Sequence, residues 1–422
     1  MLLRYGVSNF QSVRAYQELS LVASALKDGG ADLLFEEGRR EAALPVAMIY
    51  GANASGKTSV LRALQRLAQL VTASHTGGNP TAPIPRSPFA LDPEALAEPT
   101  QFDCDFVIAG IRFHYGLKAT REEFVEEWLY AYVGGHRQTW FYREQGKPIS
   151  FGKNLKGRNK LIEDITRKNS LFLSVAAQNA HLQLTPIYEY FAENLIFRMG
   201  SNDRSLARRI GDFGLDPRVT QFLKFADTGV VSAKIEHVER PTYQQNLFRQ
   251  SESDLSPEMI SRIADRLEPM FRLTLGHQSP AGEPVYLSLS QESRGTVRLL
   301  DLVSDALRAI DRGGVLIVDE LDGSLHTLLA REIINLFSSS TTNPHGGQLI
   351  GSTHDTNILC SEILRRDQVW FTEKNSAGET HLFPLTDIRT RNTDNLEKGY
   401  LQGRFGAIPY LGTVDHILQR EE

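Results

Sequence analysis

Two cysteines, Cys104 and Cys360, in a chain of 422 residues exclude a disulfide framework and a cysteine-rich metal site, and they fit a reducing compartment. No apolar run reaches the ~18 residues of a spanning helix, and Met1-Leu2-Leu3-Arg4-Tyr5-Gly6 opens no secretory signal, so the expectation is a cytoplasmic protein with no membrane partner. A net charge of −5 neither marks a nucleic-acid binder nor excludes one, because local basic patches decide that.

Taken in order, the chain opens with two expected strands, Leu2 to Phe10 and Glu18 to Ala23. Residues 26–44 are polar and glycine-rich and read as a loop. A short apolar strand (Val46, Ala47, Met48, Ile49) then enters Gly51-Ala52-Asn53-Ala54-Ser55-Gly56-Lys57-Thr58, and Val60, Leu61, Leu64, Leu67 and Ala68 give the following stretch a helical apolar face to about residue 73. Residues 74–100 hold six prolines and read as a long surface connection. From Gln101 to Phe151 the period becomes two: Phe102, Cys104, Phe106 and Ile108, then Ile111, Phe113 and Tyr115, then Phe124–Val133 and Thr139–Arg143. That pattern predicts an antiparallel meander turning at Ala109-Gly110 and Gly134-Gly135, with Cys104 in its core. Residues 158–275 read as mostly helical, with Ile187, Tyr190, Phe191 and Leu195, and again Ile260, Ile263 and Leu267, at helical spacing; a β-like run, Val230–Val238, interrupts them. After Pro284 the pattern is strand 285–289, helix 292–311, strand 315–319, helix 323–338 and strand 348–352. Such alternation implies a parallel sheet with covering helices, which the strand at 46–49 is expected to join. The expected organisation is therefore α/β: a nucleotide-binding head with a mixed sheet and an antiparallel meander (1–157), an inserted mainly helical region (158–283) and the second half of the head (284–422).

The stretch Gly51 to Thr58 matches G-x-x-x-x-G-K-[ST], the phosphate cradle of nucleotide-binding loops. Two glycines let the backbone approach a polyphosphate. The amide N–H groups of Asn53, Ala54, Ser55, Gly56, Lys57, Thr58 and Ser59 then face the phosphates at a helix N-terminus, whose dipole favours negative charge. Lys57 is expected to reach the β- and γ-phosphates of ATP, and Thr58 to ligate Mg²⁺. Val315-Leu316-Ile317-Val318-Asp319-Glu320 is an apolar strand that ends in two acids, a pattern that delivers carboxylates beside a phosphate loop: Asp319 for Mg²⁺, Glu320 to orient or deprotonate an attacking water. Leu289-Ser290-Gln291-Glu292-Ser293-Arg294-Gly295-Thr296 precedes a helix lined by Val297, Leu300, Val303, Ala306, Leu307 and Ile310. Ser293 and Gly295 sit where free N–H groups accept an anion, or where Ser293 simply caps the helix. His354 follows the strand Gln348-Leu349-Ile350-Gly351 and is placed either to sense a γ-phosphate or to serve the fold.

The order of these motifs resembles the ABC-type ATPase heads of SMC, RecF and OLD proteins. In that resemblance Ser293-Arg294-Gly295-Thr296 takes the place of the signature motif, which contacts the nucleotide held by the opposite subunit. Arg294 and Thr296 depart from the usual Leu-Ser-Gly-Gly-Gln form. Gly323-Ser324-Leu325-His326 takes the place of the D-loop, His354 that of the switch histidine, and Gln178 is the candidate Q-loop ligand to the metal. Phe102 to Phe151, Glu292 to Leu300, Asp319 to His326 and Tyr400 to Pro409 are similar to the small prokaryotic AAA/ABC-type ATPases of the RloA kind, found in restriction-linked and abortive-infection loci. That likeness implies an ATP-sandwich homodimer or higher oligomer, and a separately encoded effector, often a TOPRIM, HNH or HEPN nuclease. It leaves nucleic acid open as a partner.

The alternatives are a RecF/SMC-like clamp on duplex DNA, a transporter subunit, and a self-contained nuclease of OLD type. The transporter is disfavoured by the long insertion and divergent signature. The nuclease is disfavoured because 68 residues follow His354, against ~100 for a typical domain. Basic clusters at Arg204, Arg208 and Arg209 and at Arg158, Lys160, Arg167 and Lys168 read as solvated helix faces before they read as a phosphate-backbone site. Residues 397–411 read as an element closing the core.

Overall fold

The computed structural model describes residues 1–35, 41–77, 79–200, 214–238, 270–280, 282–391 and 393–409. The strands, in chain order, are β1 (Leu2–Ser8), β2 (Gln17–Ser20), β3 (Val46–Gly51), β4 (Thr100–Ile108), β5 (Ile111–Ala119), β6 (Phe124–Val133), β7 (His136–Glu144), β8 (Ser150–Phe151), β9 (Leu195–Arg198), β10 (Val230–Val238), β11 (Met270–His277), β12 (Val285–Ser288), β13 (Val315–Val318), β14 (Gln348–Ser352), β15 (Val369–Lys374) and β16 (Thr380–Pro384). By contacts the chain forms two units, Met1–Met199 with Ala306–Glu422, and Gly200–Asp305.

The first unit holds two sheets. One is six-stranded, in the order β16-β15-β3-β14-β13-β9, with β15, β3, β14, β13 and β9 parallel and β16 antiparallel at the edge. Its inner strands are apolar along their length because both faces are covered: every residue of β3 and of β13 is buried. The register sets Val318 level with Gly351, Ser352 level with Ile49, and Thr372 level with Gly51. The residues that follow these strands therefore gather along one edge, the usual place for a ligand in such sheets.

The other sheet is antiparallel, β2-β1-β4-β5-β6-β7-β8, and contains the expected meander. One face of it, with Tyr5, Phe102, Cys104, Phe106, Tyr115, Leu129 and Phe141, packs with the buried face of helix α1 (Lys57–Ala73) in one continuous core. The helices Asn159–Asp164, Phe172–Gln178 and Thr185–Glu189, the last continuing as a π-turn over Tyr190–Asn194, join that core. Tyr190 stacks on Phe106 with centroids 4.5 Å apart, and Phe172 meets Phe141 at 5.0 Å. These contacts carry the first unit on to Met199, beyond the composition shift at 157/158.

A buried carboxylate fixes one of these helices. Glu127, on β6, accepts the backbone N–H groups of Phe172 (2.6 Å) and Leu173 (3.0 Å) and the Tyr115 hydroxyl (3.1 Å), with Arg143 3.8 Å away. It takes the orphan donors that a helix start without a side-chain cap leaves open. Burial raises its pKa, against the pull of Arg143 and the two backbone donors.

Three expectations change. Leu195 does not continue a helix; it opens β9, which pairs with β13. A three-residue apolar run, Leu195-Ile196-Phe197, carries no period that separates strand from buried helix. The strand at 285–289 does not enter the parallel sheet: β12 pairs antiparallel with β11 in the three-stranded sheet β10-β11-β12 of the second unit. Its residues are half-buried or exposed, unlike a strand covered on both faces. Within 74–100, a short helix, Pro93–Ala97, is capped by Asp92, and Asn9 holds it by donating to the carbonyls of Ala95 and Glu98.

The described part of the second unit also contains the helix Pro217–Phe225, capped by Asp216, and the Val230–Val238 strand as expected. Ile260, Ile263, Leu267, Arg204, Arg208 and Arg209 lie outside the described residues. In the first unit, the helix Leu396–Leu401 closes the core: Tyr400 stacks on Phe371 at 5.5 Å, and Phe405 is buried beside it. Among the described residues no helix is long and apolar enough to cross a membrane.

Candidate functional site

The loop between β3 and α1 is held open by its glycines. Gly56 has φ 113°, and a Cβ there would lie 2.0 Å from the Thr380 hydroxyl, so no larger residue fits. Gly56 is also the N-cap of α1; no side chain caps that helix start and no acid lies in its first turn. The arrangement leaves the helix N-terminus to an anion. Lys57 is 6% exposed and donates to the carbonyls of Gly51 (2.8 Å) and Ala52 (3.1 Å). Burial lowers its pKa, and Asp319, Asp322 and Glu320 pull the other way. A cation kept short of solvation over neutral carbonyls gains from an arriving polyphosphate.

Two strands away, the acids are tied to the same loop. The Thr58 hydroxyl donates to Asp319 Oδ2 at 2.8 Å. Ser352, at the end of β14, donates to Asp319 Oδ1 at 2.6 Å and accepts the backbone N–H of Glu320 at 2.8 Å. Glu320 adopts φ 54°, a left-handed conformation uncommon outside glycine, and its side chain is exposed. Asp322 accepts the Thr353 hydroxyl at 2.8 Å and the His354 N–H at 3.3 Å, which links the turn after β13 to the end of β14. Burial and the Lys57 charge lower the His354 pKa against Asp322, Glu320 and Asp319, so the ring is neutral near pH 7.

The first unit thus brings Gly51, Asn53, Ala54, Ser55, Gly56, Lys57, Thr58 and Ser59 to one sheet edge with Asp319, Glu320 and His354. Ser293 and Gly295 belong to the second unit. There Ser293 Oγ accepts the Thr296 N–H at 3.0 Å and caps the helix Arg294–Arg312, with Gly295 in its first turn. His326 caps the helix Thr327–Ser338 through Nδ1, which accepts from Leu328.

Gln178 is not brought to the site. Its Nε2 donates to the Tyr188 hydroxyl, which donates to the Thr72 carbonyl near the far end of α1. Thr72 lies about 20 Å along that helix from Thr58, at 1.5 Å per residue. The local pattern around Gln178 shows a short helix but not which end of α1 it packs on. Sequence reading also passed over Asp322 and the hydroxyls of Ser352, Thr353, Thr372 and Thr380. For Ser352 and Thr353 the signal was a Ser-Thr pair at the end of a buried strand; the others carry no local signal.

These residues fit a magnesium–nucleotide. Thr58 and Asp319 present hard oxygen donors side by side, beside an uncapped helix N-terminus and a buried ammonium. Among the described residues no three His, Cys, Asp or Glu side chains converge as a metal cage. A divalent ion here would take most of its ligands from phosphate and water, as Mg²⁺ does.

A parallel-sheet domain with a phosphate loop beside an acidic strand end defines a P-loop nucleotide-binding protein. Residues 46–360 match the family described as "AAA domain, putative AbiEii toxin, Type IV TA system", and the chain belongs to that family. The match runs from β3 past Asp319, Glu320 and His354. No curated protein sequence matches the chain. Among solved structures, the Smc head bound to the C-winged helix domain of ScpA is similar at 11% identity, over 90% of this chain and 96% of that one, with a TM-score of 0.39.

Proposed function

We propose that this chain is the ATP-binding and ATP-hydrolysing switch subunit of a bacterial anti-phage defence system, controlling a separately encoded effector, in our reading a nuclease. The observation that carries the hydrolytic reading is the network Thr58–Asp319–Ser352–Glu320, which ties the phosphate loop to two acids at one sheet edge. The loop N–H groups and Lys57 bind and orient the phosphates. Thr58 and Asp319 would hold Mg²⁺, which when bound would supply positive charge against that developing on the phosphate oxygens. Glu320 orients the attacking water and takes its proton. His354, neutral, offers a ring N–H to the γ-phosphate. Ser293 and Gly295 of a second copy complete the site across an ATP-sandwich dimer, so that ATP favours the closed pair and hydrolysis releases it. Membership in a family whose description includes a toxin–antitoxin system, together with the RloA-like motifs, supports the defence role.

The basic residues at 158–168 give the DNA-clamp reading little support. Lys160 pairs with Glu163, and Arg167 donates to the carbonyls of Ser74 and His75. The test is ATP turnover with and without duplex DNA, with Lys57→Ala as the blank, followed by light scattering of Glu320→Gln with ATP. Slow turnover indifferent to DNA and an ATP-dependent dimer of Glu320→Gln are expected. Wild-type turnover by Glu320→Gln would remove Glu320 from catalysis, and strong stimulation by DNA would favour the clamp.

A further inference from the structure

A chain of hydroxyls links Ser55 and Ser59 to Ser12, Thr372 and Thr380, three residues outside the nucleotide-binding motifs. Thr380, the first residue of β16, is 3% exposed; its Oγ1 lies 2.9 Å from the Ser55 carbonyl and 2.8 Å from Ser12 Oγ. Ser12 Oγ lies 2.9 Å from Ser59 Oγ on α1, and the Thr380 N–H donates to the Ser12 carbonyl at 2.7 Å. Each hydroxyl has one proton and a carbonyl can only accept. Thr380 therefore donates to the Ser55 carbonyl, Ser12 to Thr380, and Ser59 to Ser12. On β15, Thr372 is fully buried and its Oγ1 lies 2.6 Å from Ser55 Oγ. Ser55 is thus gripped at its carbonyl from β16 and at its hydroxyl from β15. None of these bonds uses a backbone N–H of the loop.

We infer that Thr380 and Thr372 are positioning residues for nucleotide binding: the β15–β16 hairpin holds the Ser55 peptide, and with it the loop N–H groups, in the phosphate-accepting conformation. This rests on the ATP-binding reading above. A loop with one buried hydrogen bond removed must be re-ordered by its ligand, so the effect falls on affinity. The unmade bond also leaves the Ser55 carbonyl without its hydroxyl donor.

The experiment is titration of the full-length protein with a fluorescent ATP analogue, with KM and kcat for ATP measured in parallel. Thr380→Val keeps the shape and removes the hydroxyl; it is expected to weaken binding and raise KM about tenfold while kcat falls less than about threefold. Thr380→Ser restores the hydroxyl and is expected to bind within about twofold of wild type. Should Thr380→Val fail to fold, Ser12→Ala removes the donor to Thr380 from the outer loop, with a loss of about threefold expected. Wild-type affinity in the folded Val variant, or in Ser12→Ala where that stands in, overturns the inference, as does a Ser variant as weak as Val, which would show that packing and not the hydroxyl matters. A wild-type protein that binds no nucleotide analogue overturns the ATP-binding reading itself, a result separable from the others because it precedes any substitution.

Discussion

Replacing Ser352 by alanine removes a side chain that touches both acids at the strand edge. The hydroxyl donates to the Asp319 carboxylate at 2.6 Å and accepts the Glu320 N–H at 2.8 Å. The first bond is charge-assisted, about 1.5–3 kcal/mol, and the second is neutral, about 1 kcal/mol. Asp319 keeps its contact with Thr58, so part of the first loss is recovered. The second loss acts on a residue whose left-handed backbone already costs about 1–2 kcal/mol. With this bond gone Glu320 loses one restraint on φ 54°, and relaxation would carry its carboxylate off the line of attack. A net penalty near 2 kcal/mol at the transition state corresponds to roughly a 30-fold fall in kcat. The assay is phosphate release at saturating ATP, with nucleotide affinity measured separately to show that the phosphate loop is intact. A folded Ser352→Ala protein that turns over within about threefold of wild type would refute the positioning of Glu320 by this hydroxyl.

Two further outcomes follow from groups held off their ordinary titration. Burial and Lys57 lower the His354 pKa from the ordinary 6.5, so turnover that uses the neutral ring falls to half its maximum below pH 6.5; a half-maximal point at 6.5 or higher would contradict it. The sign for stability is the same: below 6.5 the unfolded chain binds the His354 proton more readily than the folded one, so this group's contribution is lost as pH falls. Glu127→Ala strands the N–H groups of Phe172 and Leu173 and leaves Arg143 facing an empty site, for an expected loss of about 3 kcal/mol in urea unfolding; a loss under about 1 kcal/mol would show that the helix start is satisfied in another way.

The phosphate loop, the acidic strand and the meander were legible because each is local: glycine spacing, a four-residue apolar run ending in Asp319-Glu320, and period-two alternation from Phe102 on. The hydroxyls that hold them were not: Ser352 meets the acids from the next strand, 33 positions on from Asp319, and Thr372 and Thr380 meet Ser55 of the phosphate loop from more than 300 positions away. Gln178 shows the converse error. Its neighbours have the right local character, but the helix that carries it packs at the wrong end of α1. Strand β12 misled for a third reason: its position before a helix suggested a parallel sheet, whereas its half-exposed residues suit an antiparallel one.

The strand that leads into the phosphate loop has β14 on one side and β15 on the other, and both arrive late from the ribosome. Between the emergence of Gly51 and that of Lys374, translation at about 5–20 residues per second takes some tens of seconds. For most of that interval, until β14 emerges, the buried run of β3 has two bare edges, and until Asp319 emerges Thr58 has no carboxylate to meet. The nascent chain therefore cannot recruit nucleotide to stabilise itself, and its most sequence-recognisable segment is also an exposed sticky strand. Folding of this protein in the cell should depend on holdase chaperones for that window, and fragments that end before β14 should aggregate rather than bind nucleotide.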